Sequence, residues 1–265
     1  MTKTEAPPSI DKLLDLSGHR ALVTGGSGNI GAAIARRIGE AGADVVIHFR
    51  DNMAAAKALE DEIRAMGVEV ICLQADLAHA DGVQKLFVSI DSSGAAVDLV
   101  VNNAAAQPVQ ALAGMSVADW QTVIAANLDS AFAVTQAAAE RLRSGEKAGS
   151  IVNIASIEGS DPAVGHSHYA TSKAGMLMFT RASALEYGAA GIRINAVSPG
   201  LIERDGLQSD WPEGVERWMA KAPLGRLGGA SDVADAVLFL LSPAARWISG
   251  ANLLVDGGMS AVSRW

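Results

Sequence analysis

The chain has one cysteine, Cys72, so it can build neither an internal disulfide nor a cysteine-ligated zinc site. That economy suits a reducing compartment, and the cytoplasm is the expected location. Cys72 lies in the apolar run VEVICLQ (68–74) without a basic neighbour in sequence, which fits a buried strand thiol better than a nucleophile. Basic charge is also short: 21 Lys and Arg stand against 29 Asp and Glu, a formal net charge of −8. A surface of that sign has no general attraction for a phosphate backbone or an anionic bilayer, so neither nucleic acid nor membrane is expected as a partner. The opening MTKTEAPPSIDKLLDL lacks an apolar stretch behind a basic segment, and no signal peptide is expected there. The most apolar late run, VADAVLFLLS (233–242), is too short to cross a bilayer and carries Asp235. No linker, repeat or low-complexity tract interrupts the chain. His166 and His168 are close in sequence, but neither ring direction is fixed by a regular element, and no metal site is expected.

What the chain does have is rhythm. At 265 residues, 49% hydrophobic and 19% charged, it can bury one large core. Short β-branched runs at 20–24, 44–49, 68–74, 97–101, 150–156, 192–197 and 251–255 alternate with Ala-rich stretches of helical period. Those stretches are 29–42, 52–66, 81–91, 117–143 and 168–188, with Ser116 as N-cap of the fourth and a last helix capped by Ser231. Runs such as DVVIHF and VDLVV are apolar on both faces, which a sheet covered by helices on both sides requires. The expectation is an α/β fold: a single-domain, Rossmann-like, doubly wound parallel sheet of about seven strands. Residues 1–17 are expected as a loose arm, 18–265 as the domain, and about 203–222 as a substrate flap.

Between the first strand and first helix stands TGGSGNIG (24–31), in which Gly26, Gly28 and Gly31 satisfy G-x-G-x-x-G. Glycines let the backbone turn sharply against a pyrophosphate, whose charge is met by free N–H groups at the helix start. Further on, Ser156 ends the fifth strand and Tyr169 and Lys173 follow one helical turn apart, a Ser-x12-Tyr-x3-Lys spacing. Reduction of a carbonyl leaves an alkoxide that must gain a proton, and oxidation must remove one, so a positioned acid/base is needed. A free phenol has a pKa of about 10; lowering it by about three units takes roughly 4 kcal/mol. One ammonium at about 4 Å supplies a similar amount at an effective dielectric near 20, so Lys173 is expected to tune Tyr169. Ser156 would hold the reacting oxygen by hydrogen bond.

These motifs together resemble the short-chain dehydrogenase/reductase family, over about residues 18–260. Thr24, Gly25 and Gly31 match its T-G-x-x-x-G-x-G fingerprint, with Asn29 in place of the middle glycine; Asn tolerates positive φ best among the other residues. QADL (74–77), NNAA (102–105), SPG (198–200) and VDGG (255–258) are further points of likeness, Ala105 standing where the family usually has glycine. The resemblance implies a dinucleotide held by Gly25, Ser27, Gly28, Asn29, Ile30 and Gly31, with Asp76 and Leu77 at the adenine and Asn103 and Ala104 beneath it. It implies Asn195, Pro199, Gly200 and Ile202 on the nicotinamide side, and Tyr169 and Lys173 at the nicotinamide ribose. Asn127 matches a fourth catalytic member that holds a proton-relay water. At the second strand's end, family members that prefer NAD carry an acid; here Arg50 suits a 2′-phosphate, so NADP(H) is expected, with NAD(H) still open beside Asp51. Arg204 replaces a threonine and would be either a charged clamp or the mark of an altered loop.

The implied activity is hydride transfer between NAD(P)(H) and a small secondary alcohol or ketone. Specificity is expected in the loop 158–168 and the flap 205–221, where Trp211, Trp218 and Met219 would form an apolar underside. Glu158, Asp161, His166 and His168 make that loop polar, as a polyol, sugar or hydroxy acid would need. Two alternatives stand beside this reading. One is a 3-oxoacyl-carrier-protein reductase, disfavoured by Ala190 where a basic docking residue would sit; the other is a non-catalytic dinucleotide-binding regulator. The family commonly assembles as a homotetramer through the long helices, here 117–143 and 168–188, where Met176, Met178 and Phe179 would serve.

Overall fold

The computed structural model describes residues 7–94 and 96–262. Seven strands form one sheet: β1 (Arg20–Val23), β2 (Asp44–Phe49), β3 (Val70–Gln74), β4 (Leu99–Asn102), β5 (Gly149–Ile154), β6 (Ile192–Pro199) and β7 (Asn252–Val255). They pair in the order β3-β2-β1-β4-β5-β6-β7, every pair parallel, which is the doubly wound arrangement. The crossovers carry α1 (Asn29–Glu40), α2 (Met53–Arg64), α3 (Ala80–Ser92), α4 (Val117–Ile124), α5 (Ser130–Ser144) and α6 (Ser167–Tyr187). Beyond β6 lie the short α7 (Leu207–Asp210), α8 (Pro212–Lys221) and α9 (Ala230–Leu241).

Strand side chains alternate between faces, and here both faces are dry. Ala21 and Val23 join Ile34 and Ile38 of α1, Leu59 and Ile63 of α2, and Val233 and Val237 of α9 in one core. Leu22 between them joins Leu86 of α3, Val134 and Leu142 of α5, and Ala184 of α6 in the other. The strand order reverses between β1 and β4, which opens a crevice at the carboxyl ends of the strands. Every candidate site residue comes from that edge or from the helices facing it.

Four expectations are corrected. The helical stretch 117–143 is two helices separated by a wide π turn at Ala125–Asp129, because Asn127 is drawn wholly into the interior. The last helix is capped at Gly229, whose N–H donates to the Asp232 carboxylate at 2.7 Å; Ser231 sits inside the first turn. Of the arm at 1–17, residues 1–6 lie outside the described residues, while Leu16 is buried in the core and the Leu13 carbonyl accepts from the Ala244 N–H at 3.0 Å. Cys72 is only half-buried, since β3 is an edge strand; its Sγ donates to the Ala56 carbonyl, and burial pushes its pKa up to about 12. That thiol is no nucleophile.

Candidate active site

Residues 24–28 must turn the chain from β1 into α1 within five positions, and neighbours on both sides fix how they do it. The Thr24 hydroxyl donates to the Val101 carbonyl at 3.2 Å and accepts the N–H groups of Asn103 at 2.9 Å and Ala104 at 3.0 Å. The Asn103 amide answers by donating to the carbonyls of Thr24 and Gly25 at 2.9 and 3.1 Å, so the loops after β1 and β4 are stitched together. Gly25 holds φ at +62°, and its N–H donates to Nδ1 of His48 at 3.1 Å. His48 is buried, and its Nε2 lies 3.1 Å from the Ala75 carbonyl. Nε2 must therefore carry the proton and Nδ1 must be bare, and burial lowers the pKa in keeping with that neutral ring.

A Cβ on Gly31 would lie 2.2 Å from the Gly25 carbonyl oxygen, so the turn closes only around a bare backbone. Gly28 caps α1 with no side chain to offer, which leaves first-turn N–H groups open to an anion. Ser27, Gly28 and Asn29 line the accessible side, while Ile30 packs against the core. Asn29 does not use the φ tolerance expected of it: Glu146 is the one non-glycine residue with positive φ among the described residues. Its side chain instead donates to the Glu203 carbonyl at 2.6 Å, tying this turn to the flap.

At the end of β2, Arg50 is exposed and its Nε donates to Asp51 at 2.6 Å. Arg50, Asp51, Gln74, Ala75 and Asp76 line one shallow cleft, with Leu77 buried behind it. Asp76 also accepts the Ala78 N–H at 3.0 Å.

The reacting group forms where β5 meets α6. Ser156 leaves the strand and its Oγ accepts the Glu158 N–H at 3.1 Å, so the hydroxyl proton remains free to be donated elsewhere. Tyr169 and Lys173 share one face of α6, both buried, with the ammonium 5.6 Å from the phenol ring centre. Lys173 Nζ donates to the Ile154 carbonyl at 2.7 Å. The expected lowering of Tyr169 is not what this arrangement gives: burial pushes the phenol up to about 12, with the Ser156 hydrogen bond pulling the other way. Lys173 cannot reverse this, because its own burial pulls it down to about 8 and it stands off the phenol.

The Asn127 side chain accepts the Ala106 N–H at 2.7 Å and donates to the Ala106 carbonyl and the Ser172 hydroxyl, each at 3.0 Å. It thereby locks the loop after β4 to α6. Asn195 plays a comparable part in β6, where its side chain bridges Ile248 and Ala251.

Over this crevice lies the flap. Pro199 is buried at the end of β6, and a Cβ on Gly200 would strike the Trp218 ring at 2.7 Å, so the indole packs onto that glycine. Ile202 bridges to Gly228. Trp211 and Met219 do not join an apolar underside; each is about half exposed. Arg204 donates to Asp210 at 2.9 Å within the flap. Two contributors escaped the sequence reading: His48, and Gln107, whose amide reaches Glu158 at 3.3 Å. A lone histidine inside the apolar run DVVIHF was the available signal for His48.

A dinucleotide-type glycine turn at the switch point of a doubly wound sheet, with serine, tyrosine and lysine converging beside it, defines a nicotinamide-dependent oxidoreductase. Residues 25–260 match the family model described as Enoyl-(Acyl carrier protein) reductase. The chain is 35% identical over 240 residues to a 3-oxoacyl-[acyl-carrier-protein] reductase FabG of Staphylococcus aureus, covering 90% of this chain and 97% of that one. It is 37% identical over 243 residues to an L-rhamnose 1-dehydrogenase (NAD(P)(+)) of Azotobacter vinelandii, covering 90% and 95%. A crystal structure from Agrobacterium tumefaciens assigned as a 2-deoxy-D-gluconate 3-dehydrogenase, with NADP bound, superposes at TM-score 0.84 with 33% identity, covering 94% and 98%. The chain belongs to the short-chain dehydrogenase/reductase family. Among the described residues no helix is long and apolar enough to cross a membrane.

Proposed function

We propose that this enzyme interconverts a small secondary alcohol and its ketone with NADP(H) as the preferred partner, Tyr169 serving as the acid/base. The observation that carries the reading is the convergence of Ser156, Tyr169 and Lys173 at the crevice floor, all three buried. The cofactor's fit rests on the Gly25–Gly31 approach, which any side chain on Gly31 would fill, and on the unpaired amides at the start of α1. Ser27 through Gly31 would hold the pyrophosphate, Asp76 and Leu77 the adenine, and Asn103 and Ala104 would support the turn from below. Pro199, Gly200 and Ile202 would flank the nicotinamide, and Lys173 would reach its ribose. When bound, the cofactor supplies or accepts the hydride.

The remaining chemistry belongs to the chain. Burial keeps Tyr169 protonated, so its hydroxyl is ready to donate to the carbonyl oxygen as that oxygen gains charge. Ser156 donates to the same oxygen, its own lone pair already held by the Glu158 amide. Lys173, with its ammonium 5.6 Å from the phenol ring centre, would offset part of the burial cost of the phenolate left behind without outweighing it. Both N–H bonds of the Asn127 amide are used and its oxygen already accepts the Ala106 N–H, so its part in proton relay would fall to the main chain of the widened turn it stabilises.

The test is hydride transfer read by nicotinamide absorbance, with Tyr169→Phe expected to lose at least about a thousandfold in kcat while NADPH still binds. Retained turnover in that variant would sink the assignment. Arg50→Asp is expected to move the preference from NADPH toward NADH; an unchanged ratio would remove the basis for choosing NADP. A cytoplasmic homotetramer is part of the same proposal. Exposed Met178 and Leu185 on α6 and half-exposed Phe132 on α5 support a helix-face interface, whereas Met176 is core. Light scattering showing a monomer at micromolar concentration would overturn it.

A further inference from the structure

The loop between Ser156 and Tyr169 holds a hydrogen-bonded carboxylate–imidazole pair that the hydride chemistry does not use. Glu158 and His166 face each other with Nδ1 2.9 Å from one carboxylate oxygen and 3.1 Å from the other. Both side chains are only 15% exposed. Gln107, from the loop after β4, donates to the same carboxylate at 3.3 Å, so the pair is held from two sides. The His166 ring then meets the Tyr169 ring edge-on, with centres 5.9 Å apart. A carboxylate only accepts, so Nδ1 must carry the proton toward Glu158. That leaves Nε2, which is buried and has no hydrogen-bond partner.

An unpartnered buried imidazole nitrogen beside the reacting phenol has a narrow set of suitable ligands. A neutral ring offers Nε2 as an acceptor and a charged ring offers it as a donor; a hydroxyl can answer either state. A hydrocarbon segment could answer neither and would leave Nε2 and the carboxylate desolvated. A carboxylate on the substrate would have to approach Glu158, so an uncharged partner is favoured. We infer that Glu158 and His166 recognise a hydroxyl on a carbon near the reacting one, and that the substrate is an uncharged polyhydroxy compound, a sugar or sugar alcohol, rather than an acyl thioester. The inference rests on the oxidoreductase reading above, and it makes His166 a specificity-determining residue held in place by Glu158 and Gln107.

The experiment compares kcat/KM for a panel of aldoses and alditols with that for 2-butanol, a secondary alcohol without a second hydroxyl, and for a short 3-oxoacyl thioester. The intact enzyme should prefer at least one polyol over both. His166→Ala and Glu158→Gln should each lower the polyol-to-butanol ratio about a hundredfold, mainly through KM, and His166→Gln should restore part of it. Equal loss on polyol and butanol would mean that the pair merely props Tyr169, and the inference fails. Thioester turnover exceeding every polyol would overturn it too, while leaving the oxidoreductase assignment intact. Binding is read separately by calorimetry on Tyr169→Phe protein loaded with NADP+, the cofactor state that pairs with an alcohol, which needs no turnover. Polyol binding there that is lost with His166→Ala supports the inference even if no substrate is turned over, a result that would instead sink the proposed reaction. No heat from any polyol in the panel overturns the inference.

Discussion

Gly31 has no space for even one more carbon: the added Cβ would stand 2.2 Å from the Gly25 carbonyl, and that oxygen belongs to a turn pinned by Asn103 and His48. Gly31→Ala should therefore push the turn open and raise the NADPH dissociation constant at least tenfold in a fluorescence titration, with far-ultraviolet circular dichroism unchanged. Unaltered affinity would mean that the turn yields more easily than its contacts suggest. At this scale the sequence was most informative where backbone geometry or chemistry forbids substitutes, as at Gly25, Gly31, Ser156, Tyr169 and Lys173. It was least informative where a residue works through a neighbour. His48 supports Gly25 from the adjacent strand, and Gln107 reaches Glu158 from another loop; neither pairing follows from any spacing along the chain. Electrostatics was also beyond it. The expected attraction between Lys173 and Tyr169 took account of charge and ignored the desolvation that dominates both groups.

Between elements, the unusual contact is the hydrogen bond from Asn29, at the start of α1, to the Glu203 carbonyl, at the base of the flap. It joins the turn that would hold the pyrophosphate to the segment that covers the crevice, and it exists only because Asn29 stands where the family has glycine. An exposed hydrogen bond contributes about 0.5–1.5 kcal/mol, so Asn29→Gly should speed NADPH release two- to tenfold in stopped-flow experiments. The flap 205–221 should also become more sensitive to proteolysis; if neither changes, the contact does not restrain the flap. The parallel, doubly wound class and the alternation of strand and helix were legible because hydrophobic period and crossover length point to them. The break between α4 and α5 was not, since the apolar period runs straight through it. Only burial of Asn127, bonded to Ala106 and Ser172, explains the widened turn, and those partners are remote in sequence. The flap's half-exposed Trp211 and Met219 were likewise hidden from a pattern that cannot tell an inward aromatic from an outward one.

Across the whole molecule, two histidines bind opposite ends of the same sheet and respond to acid in opposite directions. His48 is neutral in the fold, and burial lowers its pKa below the ordinary value of about 6.5. The unfolded chain then takes up a proton more readily than the folded one, so the stability His48 confers is present above about pH 6.5 and is lost as pH falls through its folded pKa. Protonation would also turn Nδ1 into a donor facing the Gly25 N–H, opening the phosphate turn. His19, before β1, is raised instead, chiefly by its hydrogen bond to Asp98 at 2.7 Å. Its contribution is present below about pH 6.5 and is lost as pH rises through the folded pKa; partial exposure and solvent screening keep it modest. Urea unfolding separates the two. His48→Gln should destabilise more at about pH 8 than at about pH 5, and His19→Gln should do the reverse, because each replacement removes one titration and leaves the other. The NADPH affinity of the unsubstituted enzyme should weaken on acidification in the same window in which the stability from His48 is lost, since that ring braces the turn. If His48→Gln instead gave a midpoint shift independent of pH, the neutral ring would be only a packing element, and its bond to Gly25 would carry no linkage.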